Sequence, residues 1–175
     1  MPEVDEETKR RNMELCGRFP FLIPSNRFSG KRITEAADGG FWPGAPGDVP
    51  DYDYEYTELD DMPDGWRKAF GEQMCRELMD ELSANGLVDT YRIYQIKEKF
   101  GMLCWYDNGL TQRGHEIVSK YCELSRRTCI SCGKPAKWIT TGWISPWCDG
   151  CVPEHEARFA IPVDEYMKDC ESDPV

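Results

Sequence analysis

Cys129-Ile130-Ser131-Cys132 and, after fifteen intervening residues, Cys148-Asp149-Gly150-Cys151 decide how this chain reads. Two Cys-x-x-Cys pairs at this separation bring four thiolates round one tetrahedral zinc ion. Four sulfur ligands leave no open coordination position, so the expected zinc is single, structural and closed to substrate. Gly133 permits the tight turn by which backbone N–H groups reach the sulfurs, and Pro153, Glu154 and Glu156 suit the first turn of a helix after Cys151. Between the pairs, 137–140 and 143–147 read as two short strands about the Thr141-Gly142 turn, with Trp138, Trp143 and Trp147 set to pack near the metal. Knuckle, hairpin, second knuckle and helix make a treble-clef-like order. Two alternatives stay open: a pair of disulfides in place of the metal, and His155, four residues past Cys151, in place of one thiolate.

A reducing compartment favours the metal. The opening Met1-Pro2-Glu3-Val4-Asp5-Glu6-Glu7 is charged where a secretory leader is apolar, and no run of about 18 apolar residues exists to span a bilayer. A cytoplasmic protein without a membrane partner is expected. Outside the quartet, Cys16, Cys75, Cys104, Cys122 and Cys170 show no paired spacing and read as buried small side chains or inert thiols.

The 175 residues suit one domain or a domain with a small module. The expected division is an N-terminal arm with a Gly/Pro-rich loop over 1–50, an α+β core over 51–127, a zinc module over 128–165 and a tail over 166–175. The fold class is α+β, with a small antiparallel sheet, two helices and the four-cysteine module. The arm begins as a frayed charged helix and continues through an extended apolar clip, 19–24, where Pro20 and Pro24 forbid a helix. Trp66, Phe70, Met74, Leu78 and Leu82 recur every four residues and predict the main core helix, with Asp64 as N-cap and Asn85-Gly86 as its stop. Strands over 91–96 and 102–106 form a hairpin across 97–101. A basic second helix follows, with Ile117, Tyr121 and Leu124 on its apolar side.

The formal net charge is −11, and four metal-bound thiolates with one divalent cation add to it, so free DNA or RNA is repelled by the surface as a whole. The charge is two-sided. Residues 48–64 carry eight acids and no base, whereas 92–137 carry nine Lys or Arg against four acids. Within the acidic run, residues 51–56 alternate Asp or Glu with Tyr, so a strand would align carboxylates about 7 Å apart, as in a phosphate backbone. Asp51, Asp53, Glu55, Glu58, Asp60 and Asp61 are therefore the candidate partner-binding residues; the plain alternative is a strand with buried tyrosines and a solvated acidic face.

The segments 95–109 (Gln-Ile-Lys-Glu-Lys-Phe-Gly-Met-Leu-Cys-Trp-Tyr-Asp-Asn-Gly), 127–136 (Arg-Thr-Cys-Ile-Ser-Cys-Gly-Lys-Pro-Ala) and 141–148 (Thr-Gly-Trp-Ile-Ser-Pro-Trp-Cys) resemble a family of small zinc-binding proteins of phages and prophages of Gram-positive gut bacteria. The likeness extends from about 19 to 151, although Met102 and Cys104 stand where the family more often has Gly and Arg. The resemblance implies a mobile-element origin and an anti-CRISPR role: inhibition of a type II CRISPR effector with its guide RNA by blocking target-DNA binding. An acidic protein suits the positively charged channels of such a nuclease. The alternatives are a zinc-module nucleic-acid-binding or regulatory phage protein, using the basic stretch with Phe100, Trp105, Tyr106 and Trp138, or an inhibitor of another host nucleic-acid enzyme. An enzyme is not expected: no motif places His115 or His155 beside a free cysteine, the acidic run lacks a partner motif, and Gly39-Gly40 does not open a helix.

Overall fold

The computed structural model describes residues 4–26, 30–33 and 52–172. The Gly/Pro-rich stretch 38–50, Asp48 and Asp51 lie outside the described residues. The architecture is α+β, with helix α1 (Glu6–Arg18), α2 (Asp64–Trp66), α3 (Glu72–Ala84), hairpin β1 (Ile93–Lys99) and β2 (Met102–Asp107), and helix α4 (Gln112–Ser125). The C-terminal part contains β3 (Trp138–Thr140), β4 (Ser145–Trp147), β5 (Ala160–Pro162) and α5 (Val163–Ser172). β1 and β2 pair antiparallel, and a separate three-stranded sheet has the order β4-β3-β5.

Helix α1 starts at Asp5, whose carboxylate accepts the Thr8 N–H at 2.8 Å, and Glu6 and Glu7 favour that end of the helix dipole. The following segment is not the extended clip expected. Pro20 opens a 3₁₀ turn, Pro20–Leu22, because a proline at a first helical position loses no hydrogen bond, and the turn buries Phe21 and Leu22.

The four-residue repeat places Trp66, Phe70, Met74, Leu78 and Leu82 in the core, as predicted. Steps of four overshoot the 3.6-residue turn of an α-helix, so a strict repeat drifts round the axis. A π-turn at Arg67–Gly71, between α2 and α3, widens the coil where Trp66 and Phe70 must both point inward. Asp64 is the first helical residue rather than the cap, which is Pro63; Asn85 and Gly86, the latter at φ 66°, end α3.

The β1–β2 hairpin is tighter than predicted. Lys97, Glu98 and Lys99 belong to β1, Lys99 pairs with Met102, and the reversal needs only Phe100 and Gly101, at φ 52° and 74°. Positive φ at both turn positions is the type I′ geometry that matches strand twist. Ile96, Leu103 and Trp105 face the core, and Lys97, Lys99, Met102, Cys104 and Tyr106 share the opposite face. On α4, Ile117 and Tyr121 are buried while Leu124 is exposed, so the apolar side is narrower than expected.

The acidic strand does not form. Tyr54 has φ 62°, the Asp53 carboxylate accepts the Glu55 N–H at 3.2 Å, and the Tyr52 hydroxyl donates to the Tyr56 carbonyl. An Asx turn followed by left-handed backbone folds 52–56 on itself and cancels the alternation a strand requires. The treble-clef order also departs from expectation after the second knuckle. Residues 154–156 are turn, Ala157–Phe159 is a 3₁₀ turn, and β5 then pairs with β3 before helix α5 begins at Val163. α5 runs through the expected tail as far as Ser172.

Candidate metal centre and charged faces

The ligand atoms of Cys129, Cys132, Cys148 and Cys151 all lie within 4.8 Å of one another. The Sγ atoms of Cys132 and Cys148 are 3.5 Å apart, close to the roughly 3.8 Å that two sulfurs keep on one tetrahedral zinc with 2.3 Å bonds. Four thiolates, a shared centre and no fifth donor among the described residues fit one structural zinc ion. The four ligand cysteines and Cys16, Cys75, Cys104 and Cys122 are unbridged, and the His155 imidazole is exposed, 3.5 Å from a Glu156 carboxylate oxygen rather than in the cluster.

The first knuckle closes through Gly133 N–H to the Cys129 carbonyl, 3.0 Å, and Cys129 N–H to the Lys134 carbonyl, 2.8 Å. Gly133 has φ 80°, as the tight turn demands, and a Cβ there would stand 2.6 Å from the Gly65 carbonyl. The contact is reciprocal: a Cβ on Gly65 would stand 2.2 Å from the Cys129 carbonyl. Gly65 N–H donates to the Ile130 carbonyl at 2.9 Å, and the Trp66 indole N–H to the Thr128 carbonyl at 2.9 Å. Two glycines thus let the knuckle backbone rest on α2. The second knuckle closes through Cys151 N–H to the Cys148 carbonyl, 3.1 Å, and Asp149 accepts from the Lys137 ammonium and, at 2.8 Å, the Trp138 indole.

Protons divide unevenly in the cluster. The Lys134 backbone N–H, together with neighbouring thiols, holds the Cys132 thiol down to about 7, whereas Cys151 is pushed up because the Cys132 and Cys148 sulfurs stand beside it. Without a cation, four adjacent thiolates repel. A divalent ion reverses that logic and deprotonates every ligand. Held this way, zinc fixes the fold and offers no site for chemistry.

Of the candidate partner-binding residues, Asp53 and Glu55 are exposed and share Lys9, at 3.7 and 3.0 Å. Asp60 is committed to structure: it accepts the Thr57 N–H at 2.7 Å and pairs with Arg67 at 2.5 Å and Arg11 at 3.6 Å. Glu58 is buried and Asp61 exposed. Asp51 lies outside the described residues. The acids gather as a folded, cation-pinned track rather than a straight row.

The basic stretch is equally divided. Arg92 is buried and donates to the carbonyls of Gly30, Asp89 and Tyr91. Arg113, Lys120, Arg127 and Lys137 pair with Glu116, Glu77, Asp164 and Asp149. Trp105 is buried with its indole on the Tyr91 hydroxyl, 2.8 Å, so of the four aromatics expected on a basic patch only Phe100 and Tyr106 are exposed. The sequence reading missed Gly65, whose role depends on a contact with a knuckle more than sixty residues away, and the exposed pair Arg158 and Phe159. An open groove of about 620 Å³ between the π-turn and α4 is lined by Phe70, Tyr121, Leu124, Lys120 and Arg127. No helix of the described residues is long and apolar enough to cross a membrane. No protein-family model, curated protein or solved structure matches the chain.

Proposed function

We propose that the chain is an inhibitory binding protein rather than an enzyme: a zinc-clamped phage or prophage scaffold that keeps a type II CRISPR effector, loaded with guide RNA in the host cytoplasm, from binding target DNA. The observation that carries this reading is the anchored acidic track. Four carboxylates over 52–64, Asp53, Glu55, Asp60 and Asp64, are set against the cations Lys9, Arg11 and Arg67, and Asp53, Glu55, Asp61 and Asp64 are exposed. Carboxylates fixed before contact lose little freedom on binding, and a compact negative surface is steered quickly to a basic channel. The motif resemblance over 95–109 and 127–148 supports the choice of target.

Capture of the zinc-loaded protein by the effector with guide RNA, followed by a target-DNA binding assay, tests the reading. A complex that excludes DNA, weakens as salt rises, and weakens on the order of tenfold in the triple variant Asp53→Asn, Glu55→Gln, Asp61→Asn is the expected result. Absence of a complex overturns the function. A complex indifferent to the triple variant keeps the function and removes the acidic contact.

A further inference from the structure

Two hairpins converge and leave their aromatic side chains uncovered. The β1–β2 turn rests on the β3–β4 loop: a Cβ on Gly101 would lie 3.1 Å from Ile144 Cγ2 and 3.5 Å from Ile139 Cδ1. A Cβ on Gly142 would lie 3.7 Å from the Phe159 ring. The neighbours of these contacts, Phe100 at 68% and Trp143 at 72%, are the most exposed large apolar residues among those described, with Phe159 and Tyr106 above 40%. Among the described residues none of these four rings stacks on another ring.

Cations accompany three of the four. Lys99 Nζ lies 5.5 Å from the Phe100 ring centre, Lys97 Nζ 5.0 Å from that of Tyr106, and the Arg158 guanidinium 4.6 Å from that of Phe159. Unlike Arg113, Lys120, Arg127 and Lys137, these three have no carboxylate partner among the described residues. Phe100 adds an independent sign. It holds φ 52° in a type I′ turn position where Asn or Gly is usual, and a bulky side chain there is strained. Neither burial nor turn geometry favours an exposed phenylalanine at this place, whereas a ligand that stacks on it does.

Rings beside unpaired cations match a ligand with planar faces and regular negative charge. Single-stranded nucleic acid has both; a duplex hides its base faces and meets only the repulsion of the net charge of −11. Salt screens distant carboxylates beyond about 8 Å, so the local cations govern a strand lying on this edge. We infer that the paired hairpin edge binds single-stranded nucleic acid, with bases stacking on Phe100, Trp143 and Phe159 and phosphates meeting Lys97, Lys99 and Arg158. The inference does not rest on the CRISPR-effector reading.

Fluorescence anisotropy of the zinc-loaded full chain with labelled oligo-dT and oligo-rU of about 15 nucleotides, and with a duplex of the same length, tests the inference. At least one single strand binds and the duplex does not; the tighter of the two strands names DNA or RNA as the source. Phe100→Ala and Trp143→Ala each weaken binding about tenfold, with zinc content and melting temperature unchanged because both side chains are exposed. Lys97→Gln, Lys99→Gln and Arg158→Gln each reduce the salt slope by about one. Failure of both single strands to bind, duplex binding as tight as single-strand binding, or binding indifferent to both aromatic substitutions overturns the inference. So does loss of effector capture in the aromatic variants without any oligonucleotide binding, which makes the edge a protein interface.

Discussion

The two zinc knuckles have the same Cys-x-x-Cys chemistry but opposite surroundings. The first is pressed onto α2, with Gly65 against the Cys129 carbonyl and the Trp66 indole on the Thr128 carbonyl. The second presents Asp149 and Gly150 to solvent, and a Cβ on Gly150 would meet nothing within 4 Å. One half of the site is therefore continuous with the hydrophobic core that contains Trp66. The other half is fastened by its own module, through Lys137, Trp138 and the metal. Zinc in this arrangement acts as a clasp that closes a peripheral sheet onto a platform already shaped by packing.

Removal of the metal tests that asymmetry with the largest expected effect. Zinc binding in small modules supplies on the order of 10 kcal/mol of folding free energy, so chelation, Cys129→Ser and Cys148→Ser should each abolish metal content and lower the melting temperature. Hydrogen exchange should then divide the molecule. The Lys137 and Cys151 amides, bonded to Trp147 and Cys148, should lose protection on the order of a hundredfold, while the Gly65 amide, bonded to Ile130, should change far less. Equal loss at all three would mean that zinc, not packing, holds the first knuckle.

A glycine pair sharpens the comparison at the next magnitude. Gly65→Ala forces a Cβ to within 2.2 Å of backbone that cannot swing aside, and should cost about 3 kcal/mol even with zinc bound. Gly150→Ala enters open space and should stay within about 0.5 kcal/mol of the parent. Thermal melts of the two zinc-loaded variants check both, and similar melting temperatures would refute the difference between the knuckles.

What the sequence made legible was local. Ligand spacing, the Gly133 turn and the apolar repeat from Trp66 to Leu82 each express a rule that acts over a few residues, and each is present in the structure. The alternating acids of 51–56 looked equally local, yet alternation predicts a strand only where the backbone can stay extended. Asp53 captures the Glu55 amide and Tyr54 turns left-handed, so the pattern never acts. Pro153 with its neighbouring acids resembled a helix start, but the free edge of β3 claims Ala160–Pro162 as a third strand and delays the helix to Val163. The Gly65–Gly133 contact and the union of the hairpin tips join distant segments, and no periodicity along the chain encodes them.

Acid titration gives the smallest effect and separates platform from clasp. Behind the first knuckle, α3 is tied to α4 by Glu77, which pairs with Lys120 at 2.5 Å and accepts the Tyr121 hydroxyl at 2.8 Å. The Lys120 hydrogen bond, assisted by Tyr121 and Gln73, holds Glu77 down at about 2, against an ordinary value of 4.5. A lowered carboxylate contributes stability that is fully present above the ordinary value and disappears as pH falls through the folded one. Cysteine ligands, by contrast, recapture protons and release zinc in mildly acidic solution. Zinc release should therefore precede loss of helical circular dichroism as pH falls. Glu77→Gln should lower stability at neutral pH by less than about 1 kcal/mol, since the pair is partly solvated. That difference should shrink between pH 4.5 and about 2, where the parent carboxylate also becomes neutral. Chelator-dye absorbance and circular dichroism followed together against pH read both events; simultaneous loss of zinc and helix in the parent would show that platform and clasp are one cooperative unit.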